Sequence, residues 1–214
     1  MALDTYSNLK LEIADWLNRS DLTTQIDTFI DLAEARMNRE IRVRDMLSRT
    51  TLSISSQFTS LPSDFIAMRN INLDTSPLTV LQYVTPEYMD RIRRNKYSYS
   101  STSITGMPVW YTIKGSEIEV VPNPDSAKTA NITYYAKIPA LTTEADTNWV
   151  LTNHPELYLT GTLVAASAFL VEDNRIPLWE SGYQKGVEDL HRASDNYEIP
   201  RGGATRIRAN VLGV

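Results

Sequence analysis

The hydrophobic period of this chain changes twice, and that change bounds the fold more tightly than any single motif. Near the start, Leu9, Ile13, Trp16 and Leu17 recur at helical spacing, and so do Ile26, Phe29, Ile30, Ala33, Met37 and Ile41. From residue 49 the period drops to two: RTTLSISSQFTSLP alternates Leu52 and Ile54 with polar residues, then reaches Phe58. Beyond residue 149 helical spacing returns. Each segment has one apolar face to bury, so the order reads α-α, β-rich middle, α-α, tail.

Asp4 is positioned to cap a first helix over 5–18. A second helix over about 23–45 carries a charged face with Asp27, Asp31, Glu34, Arg36, Arg39, Glu40 and Arg42. In the middle, Ser56-Gln57 reads as a hairpin turn, IAMRNINLD as extended chain and LTVLQYV (78–84) as a strand. Thr85 caps, and Pro86 opens, a short helix over 86–94. YSYSSTSITG (97–106) is a polar loop. VWYTIKG and EIEVVP flank Gly115-Ser116, a two-residue hairpin turn with glycine first. Pro122 and Pro124 end that strand, and ANITYYAKI is the next.

Thr152 to His154 offer a cap and Pro155 a first turn for a helix over 155–172. A last helix over about 175–197 sets Leu178, Trp179, Tyr183, Val187 and Leu190 on one side. The expected fold class is α+β. A four-helix bundle from 1–46 and 150–198 carries an inserted, mostly antiparallel β-rich region over 47–149 with one short helix. An extended C-terminal arm follows over 199–214.

Composition narrows the function. The net charge of −5 argues against a general nucleic-acid binder. Cysteine is absent, which removes disulfides, zinc–thiolate sites and thiol nucleophiles and suits a reducing cytoplasm. MALDTYSNLK lacks a basic run followed by an apolar core, so no signal peptide is expected. The longest apolar tract, LYLTGTLVAASAFLV, is interrupted by Thr160, Thr162 and Ser167 and is shorter than the roughly 17 residues of a minimal span. It reads as a buried helix.

Few residues suggest chemistry. His191 lies one helical turn before Asp195, a routine surface pair. His154 belongs to the capping region before Pro155. Asp21, Asp27 and Asp31 lack the glycine and glutamate of a calcium loop, since Ile26 and Leu32 stand at those positions. No phosphate-binding glycine motif occurs. The chain therefore reads as a non-enzyme without cofactor or metal.

Two segments read as contact surfaces. RIRRNKYSY interleaves Arg91, Arg93, Arg94 and Lys96 with Tyr97 and Tyr99. Protein contact is the favoured reading; a solvated helix end and single-stranded nucleic acid are the alternatives. The tail IPRGGATRIRANVLGV has three arginines and no acid; it reads either as a disordered terminus or as an arm that orders on a partner, its alternating TRIRANV adding as a strand to an exposed sheet edge.

FIDLAEARMNREIRVRDM, LPSDFIAMRNI, GMPVWYTIKGSEIEVVPNPDSAKTANITYYAKIPAL and HPELYLTGTLVAASAFLVEDNRIPLWESGYQKGVEDL together resemble the head-to-tail adaptor (connector) proteins of short-tailed bacteriophages. The likeness is to SU10-like adaptors, in the same broad class as T7-like adaptors, and covers most of residues 5–197. It implies a virion structural protein in the neck, made in the host cytoplasm. Such adaptors form a ring, twelvefold in that class, that joins portal to tail and extends the DNA channel, with the helical part towards the portal and the β part towards the tail.

The implied partners are further copies of the chain, the portal, tail or nozzle proteins and tail fibres. Genomic DNA passes without sequence-specific contact, and no membrane is involved. By position the portal-binding arm falls on Arg201, Arg206, Ile207, Arg208 and Val211. Glu34, Arg36, Arg39, Glu40 and Arg42 suit charge-complementary registration between neighbouring subunits. Arg91, Arg93, Arg94, Tyr97 and Tyr99 suit a tail or neighbour contact. The alternative is a nucleic-acid-binding accessory protein using 91–99.

Overall fold

The computed structural model describes residues 3–97, 105–167, 169 and 174–198, with backbone only at 95–97 and 197–198. The fold is mixed α+β and divides into two compact units, Met1–Asp45 with Ile138–Val214, and Met46–Lys137.

The first unit is helical. Helix α1 (Tyr6–Leu17) buries Tyr6, Leu9, Ile13 and Leu17. Its cap is Thr5, whose hydroxyl accepts from the Asn8 amide at 3.3 Å; Asp4 instead accepts from the Asn8 side chain. The amides of Tyr6 and Ser7 donate to the carbonyls of Asp146 and Glu144, so a distant loop satisfies helix-end donors. Trp16, expected on the apolar face, is 44% exposed and donates to Glu12.

Helix α2 (Thr23–Glu40) buries Ile26, Phe29, Ile30, Ala33 and Met37. It stops five residues before the expected end, because Ile41 turns extended while staying buried. The Arg42 side chain donates back to the carbonyls of Asn38 and Ile41, capping the helix end.

Asn148 caps the short helix α4 (Trp149–Asn153), its side chain accepting from the Leu151 amide. Helix α5 (Pro155–Ala166) opens on Pro155, and His154 contributes no side-chain cap. Helix α6 (Ile176–Glu198) buries Trp179, Tyr183, Val187 and Leu190. Leu178, expected beside them, is 71% exposed. Helix α5 packs against α1, α2 and α6 and is apolar nearly all round, as a central helix must be. Gly161 permits the approach of α6: a Cβ there would stand 3.2 Å from the Tyr183 ring.

The second unit is β-rich. One sheet has the antiparallel order β1 (Leu47–Ile54), β10 (Lys128–Ala136), β3 (Phe65–Leu73), β4 (Thr79–Val80). A second has the order β2 (Phe58–Ser60), β8 (Glu117–Val121), β7 (Trp110–Lys114), β5 (Gln82–Tyr83), with β5 parallel to β7. A short parallel pair joins β6 (Thr105–Gly106) to β9 (Asn123–Pro124). The β7–β8 hairpin turns at Gly115, whose φ of +62° suits glycine.

Two expectations change here. β1 and β2 form no hairpin across Ser56-Gln57: the three residues after Ile54 carry the chain from one sheet to the other. Residues 78–84 form two short strands, β4 and β5, which also belong to different sheets. The core of this unit joins both sheets through Ile54, Ile71, Leu73, Ile118, Val120 and Ile132. Helix α3 (Pro86–Tyr97) starts as expected, with Thr85 accepting from the Tyr88 amide, but runs three residues past 94.

Candidate functional site

Side chains of α2 and α3 carry the charges that the sequence nominates, and their geometry separates internal bonds from free surface. Glu34 does not stand on a solvated face. It is 6% exposed, and its Oε1 accepts from the Leu141 amide at 3.0 Å and the Tyr158 hydroxyl at 3.1 Å. The reason lies in spacing: Ile30, Glu34, Met37 and Ile41 follow steps of four, three and four, so Glu34 occupies a stripe position. Burial pushes its carboxyl above the ordinary range, against the opposing effect of the two hydrogen bonds.

Arg36 is bound within its own chain. It forms a two-pronged contact with Glu180 at 2.9 and 2.6 Å, meets Glu40 at 2.9 Å and lies over the Tyr183 ring. Arg42 caps α2. Arg39 is exposed and makes no hydrogen bond or ion pair among the described residues. Of the five nominated residues it alone makes no side-chain hydrogen bond or ion pair among the described residues; Arg42, just past α2, has no acidic partner there either, but its guanidinium is held by the Asn38 and Ile41 carbonyls.

On α3, Arg93 points inward. It reaches the Glu119 carboxylate at 2.9 Å, the Val120 carbonyl at 3.0 Å and the Asn123 side chain at 3.4 Å. Glu119 is 1% exposed and also meets Lys114 at 2.7 Å and Gln57 at 2.8 Å. Burial pushes Glu119 up, but hydrogen bonds from Lys114 and Gln57 and the Arg93 charge outweigh it, leaving the carboxyl below its usual range. Arg91 and Arg94 stay exposed, Arg91 over the Tyr88 ring. The side chains of Tyr97 and Tyr99, and the whole arm with Arg201, Arg206, Ile207, Arg208 and Val211, lie outside the described residues.

The sequence reading missed four side-chain clamps on the segments where the chain leaves and re-enters the helical unit. Asn38 and Glu34 of α2 accept from the amides of Ile138 and Leu141. His191 and Ser194 of α6 accept from the amides of Arg42 and Arg44, at 3.4 and 3.0 Å. His191 therefore faces this segment rather than pairing with Asp195, because the chain leaving α2 has an amide to satisfy. A polar residue at a stripe position was the available signal for Glu34; nothing in the sequence marked the other three.

A cleft of about 430 Å³ beside α1 is lined by Lys10, Leu11, Asp15, Arg19, Thr23 and Glu144, among others. Lys10 is paired with Asp27 and Glu144, and Arg19 with Asp21. These are surface pairs, not a converging acid–base set. Among the described residues no group of three His, Asp or Glu side chains is arranged to hold a metal. No helix among them is long and apolar enough to cross a membrane.

Leu32, Leu178 and Trp16 are exposed in the helical unit, and Leu78, Val80 and Tyr83 in the β unit. No curated protein matches the chain. A family model, that of the SU10 adaptor protein, matches residues 4–208, so it takes in both units and most of the arm. That span shows that the chain belongs to the SU10 adaptor protein family, a family of phage adaptors.

Proposed function

We propose that the chain is a head-to-tail adaptor of a short-tailed phage virion. Copies form a ring, twelvefold by the resemblance, in the neck between portal and tail. The ring extends the channel through which the genome passes. The family match over residues 4–208 carries this reading.

The residues support it in three ways. A closed ring of one subunit type needs two different patches that meet head to tail. Exposed apolar side chains in each unit, Leu178 in one and Leu78 in the other, are suitable components. Arg39, with its free charge, suits registration between neighbours. Arg91 and Arg94 suit a tail or neighbour contact. The alternative use of 91–99 on single-stranded nucleic acid loses one of its cations, since Arg93 is engaged with Glu119.

The test is direct. Purified chain is imaged by negative stain alone and with the portal of its own phage. Rings of a fixed copy number on the portal are expected. No association at any ratio sinks the reading. The arm's role is tested separately: a chain lacking 199–214 is expected to lose portal in a pull-down, and undiminished capture removes the arm from the portal interface.

A further inference from the structure

The β unit has two sides that differ in kind. On one, β1 is outermost in the first sheet and β2 in the second. On the opposite side β4 and β5 are outermost, but they close it only in part. β4 pairs with β3 only at Asn72 and Leu73, and β5 with β7 only at Trp110 and Tyr111. The stretch of β3 from Phe65 to Met68, left uncovered by β4, borders a groove of about 530 Å³ together with Ile113 of β7. Tyr83 and Tyr111 complete its wall, their rings edge to face with centroids 5.6 Å apart. The register of β3 against β10 is irregular along this stretch, which opposes the regular addition of another strand. The groove is therefore shaped for a side chain.

We propose that Phe58 of one copy of the chain seats in this groove of the next copy, so that β units meet head to tail. The first ground is the chemistry of the groove. Its described lining is uncharged, with Phe65, Met68 and Ile113 among two tyrosine rings. A cavity of about 150 Å³ already holds benzene, so there is room for an aromatic ring. Edge-to-face ring contacts and a thioether against an aromatic ring are both favourable.

The second ground is the opposite side. Phe58 is 42% exposed and is the only large apolar side chain of β1 or β2 that stands out to this degree. Edges are commonly guarded by charge, yet no charged residue occurs from Thr50 to Ser63 in a chain that is 22% charged. An aromatic residue in surroundings poor in charge is the composition of an interface centre, and no ion has to be desolvated when it is covered.

The third ground identifies the occupant as a second copy. β2 and β5 stand at opposite ends of the order β2-β8-β7-β5. Three strand spacings separate them, about 14 Å, so Phe58 does not fill the groove of its own chain. A protruding ring at one end and a groove that accepts it at the other form a heterologous pair, which repeats from copy to copy and closes into a ring where the rotation allows.

This inference rests on the ring reading, since it names the surfaces through which neighbours meet. Phe58 is replaced by benzoyl-phenylalanine, a photoreactive residue that keeps an aromatic side chain. The full chain is mixed with wild type labelled with heavy nitrogen and with the portal of its phage, inspected for rings by negative stain, and irradiated. Cross-links from position 58 to labelled peptides that contain Met68 or Tyr83 are expected. Tyr83→Asp in the labelled chain sets a charge in the groove at a position 58% exposed, and is expected to lower the yield on the order of tenfold. Rings without these cross-links, cross-links from position 58 to other parts of the labelled chain, or a yield indifferent to Tyr83→Asp overturn this inference and leave the ring standing. Absence of both rings and cross-links removes the ring reading and this inference with it.

Discussion

The Tyr158 hydroxyl of α5 donates to the Glu34 carboxylate of α2 at 3.1 Å, and both side chains are buried. The same Glu34 oxygen accepts from the Leu141 amide, and Asn148 donates to the Tyr158 hydroxyl and to the Pro139 carbonyl. One carboxylate thus joins two helices to the segment that returns from the β unit.

Glu34→Ala leaves a buried amide and a buried hydroxyl without their acceptor, and is expected to cost about 2–4 kcal/mol. Glu34→Gln keeps an acceptor and removes a buried charge, so it is expected to stay within about 1 kcal/mol of wild type at neutral pH. The pH dependence has a definite sign. Burial raises the folded-state value of Glu34, so the favourable contribution is fully present below the unfolded value of about 4.3. It is lost as pH rises through the folded value. Urea unfolding at pH 5 and pH 8 checks this: the Gln variant gains on wild type at the higher pH. A gap that moves the other way is incompatible with a raised Glu34.

Glu180 has the opposite sign. Hydrogen bonds from Arg36, then from Gln184, hold its carboxyl down to about 2. Its contribution is present above the unfolded value of about 4.3 and is lost as pH falls towards 2. Because its side chain is 39% exposed, screening limits the effect to about 1 kcal/mol or less. Thermal melts of Glu180→Gln are expected to lie below wild type at pH 7 and to converge with it near pH 2.

Arg93 is a structural cation. Its side chain is 14% exposed and that of its partner Glu119 is 2% exposed. Arg93→Ala strands a buried carboxylate, although Lys114 remains beside it, and is expected to destabilise by about 3 kcal/mol. Arg91→Ala and Arg94→Ala, at exposed positions, are expected to change stability by about 0.5 kcal/mol or less. Denaturant titrations of the three variants separate the roles. Similar losses at all three positions contradict an internal Arg93.

Much of this was legible because periodicity reports burial. The stripes of α1, α2 and α6, the Gly115 hairpin and the Pro86 helix start all follow from local spacing and turn chemistry. Periodicity does not report backbone conformation, so buried Ile41 extends the apolar stripe past the helix end. Nor does it say whether a stripe residue has a neighbour: Leu178 and Trp16 fit the spacing and stay exposed. The partition of β1 and β2 between two sheets depends on pairing with β10 and β8, whose partner residues lie 74 to 88 and 57 to 61 positions further along the chain, and no local signal carries it. Charge misled at Glu34 and Arg93 for one reason. A charged side chain reads as surface until its buried partners, Tyr158 and Glu119, are known.

Two helical glycines that look alike in sequence are expected to respond in opposite directions. Gly182 is exposed in the middle of α6, and a Cβ there meets only the Thr160 methyl at 3.4 Å, an ordinary contact. Gly182→Ala improves helix propensity and restricts the unfolded chain, which is worth about 0.5–1 kcal/mol. Gly161 lies where α5 meets α6, and a Cβ there stands 3.2 Å from two atoms of the Tyr183 ring and 3.6 Å from Ala33. That ring is fully buried and lies under the Arg36 guanidinium at 4.3 Å, so it cannot yield without disturbing the Arg36–Glu180 pair. Overpacking of this kind costs about 1–3 kcal/mol. Gly161→Ala is therefore expected to lower the melting temperature and Gly182→Ala to raise it. A stabilising Gly161→Ala would show that α5 and α6 do not approach at this position as closely as described.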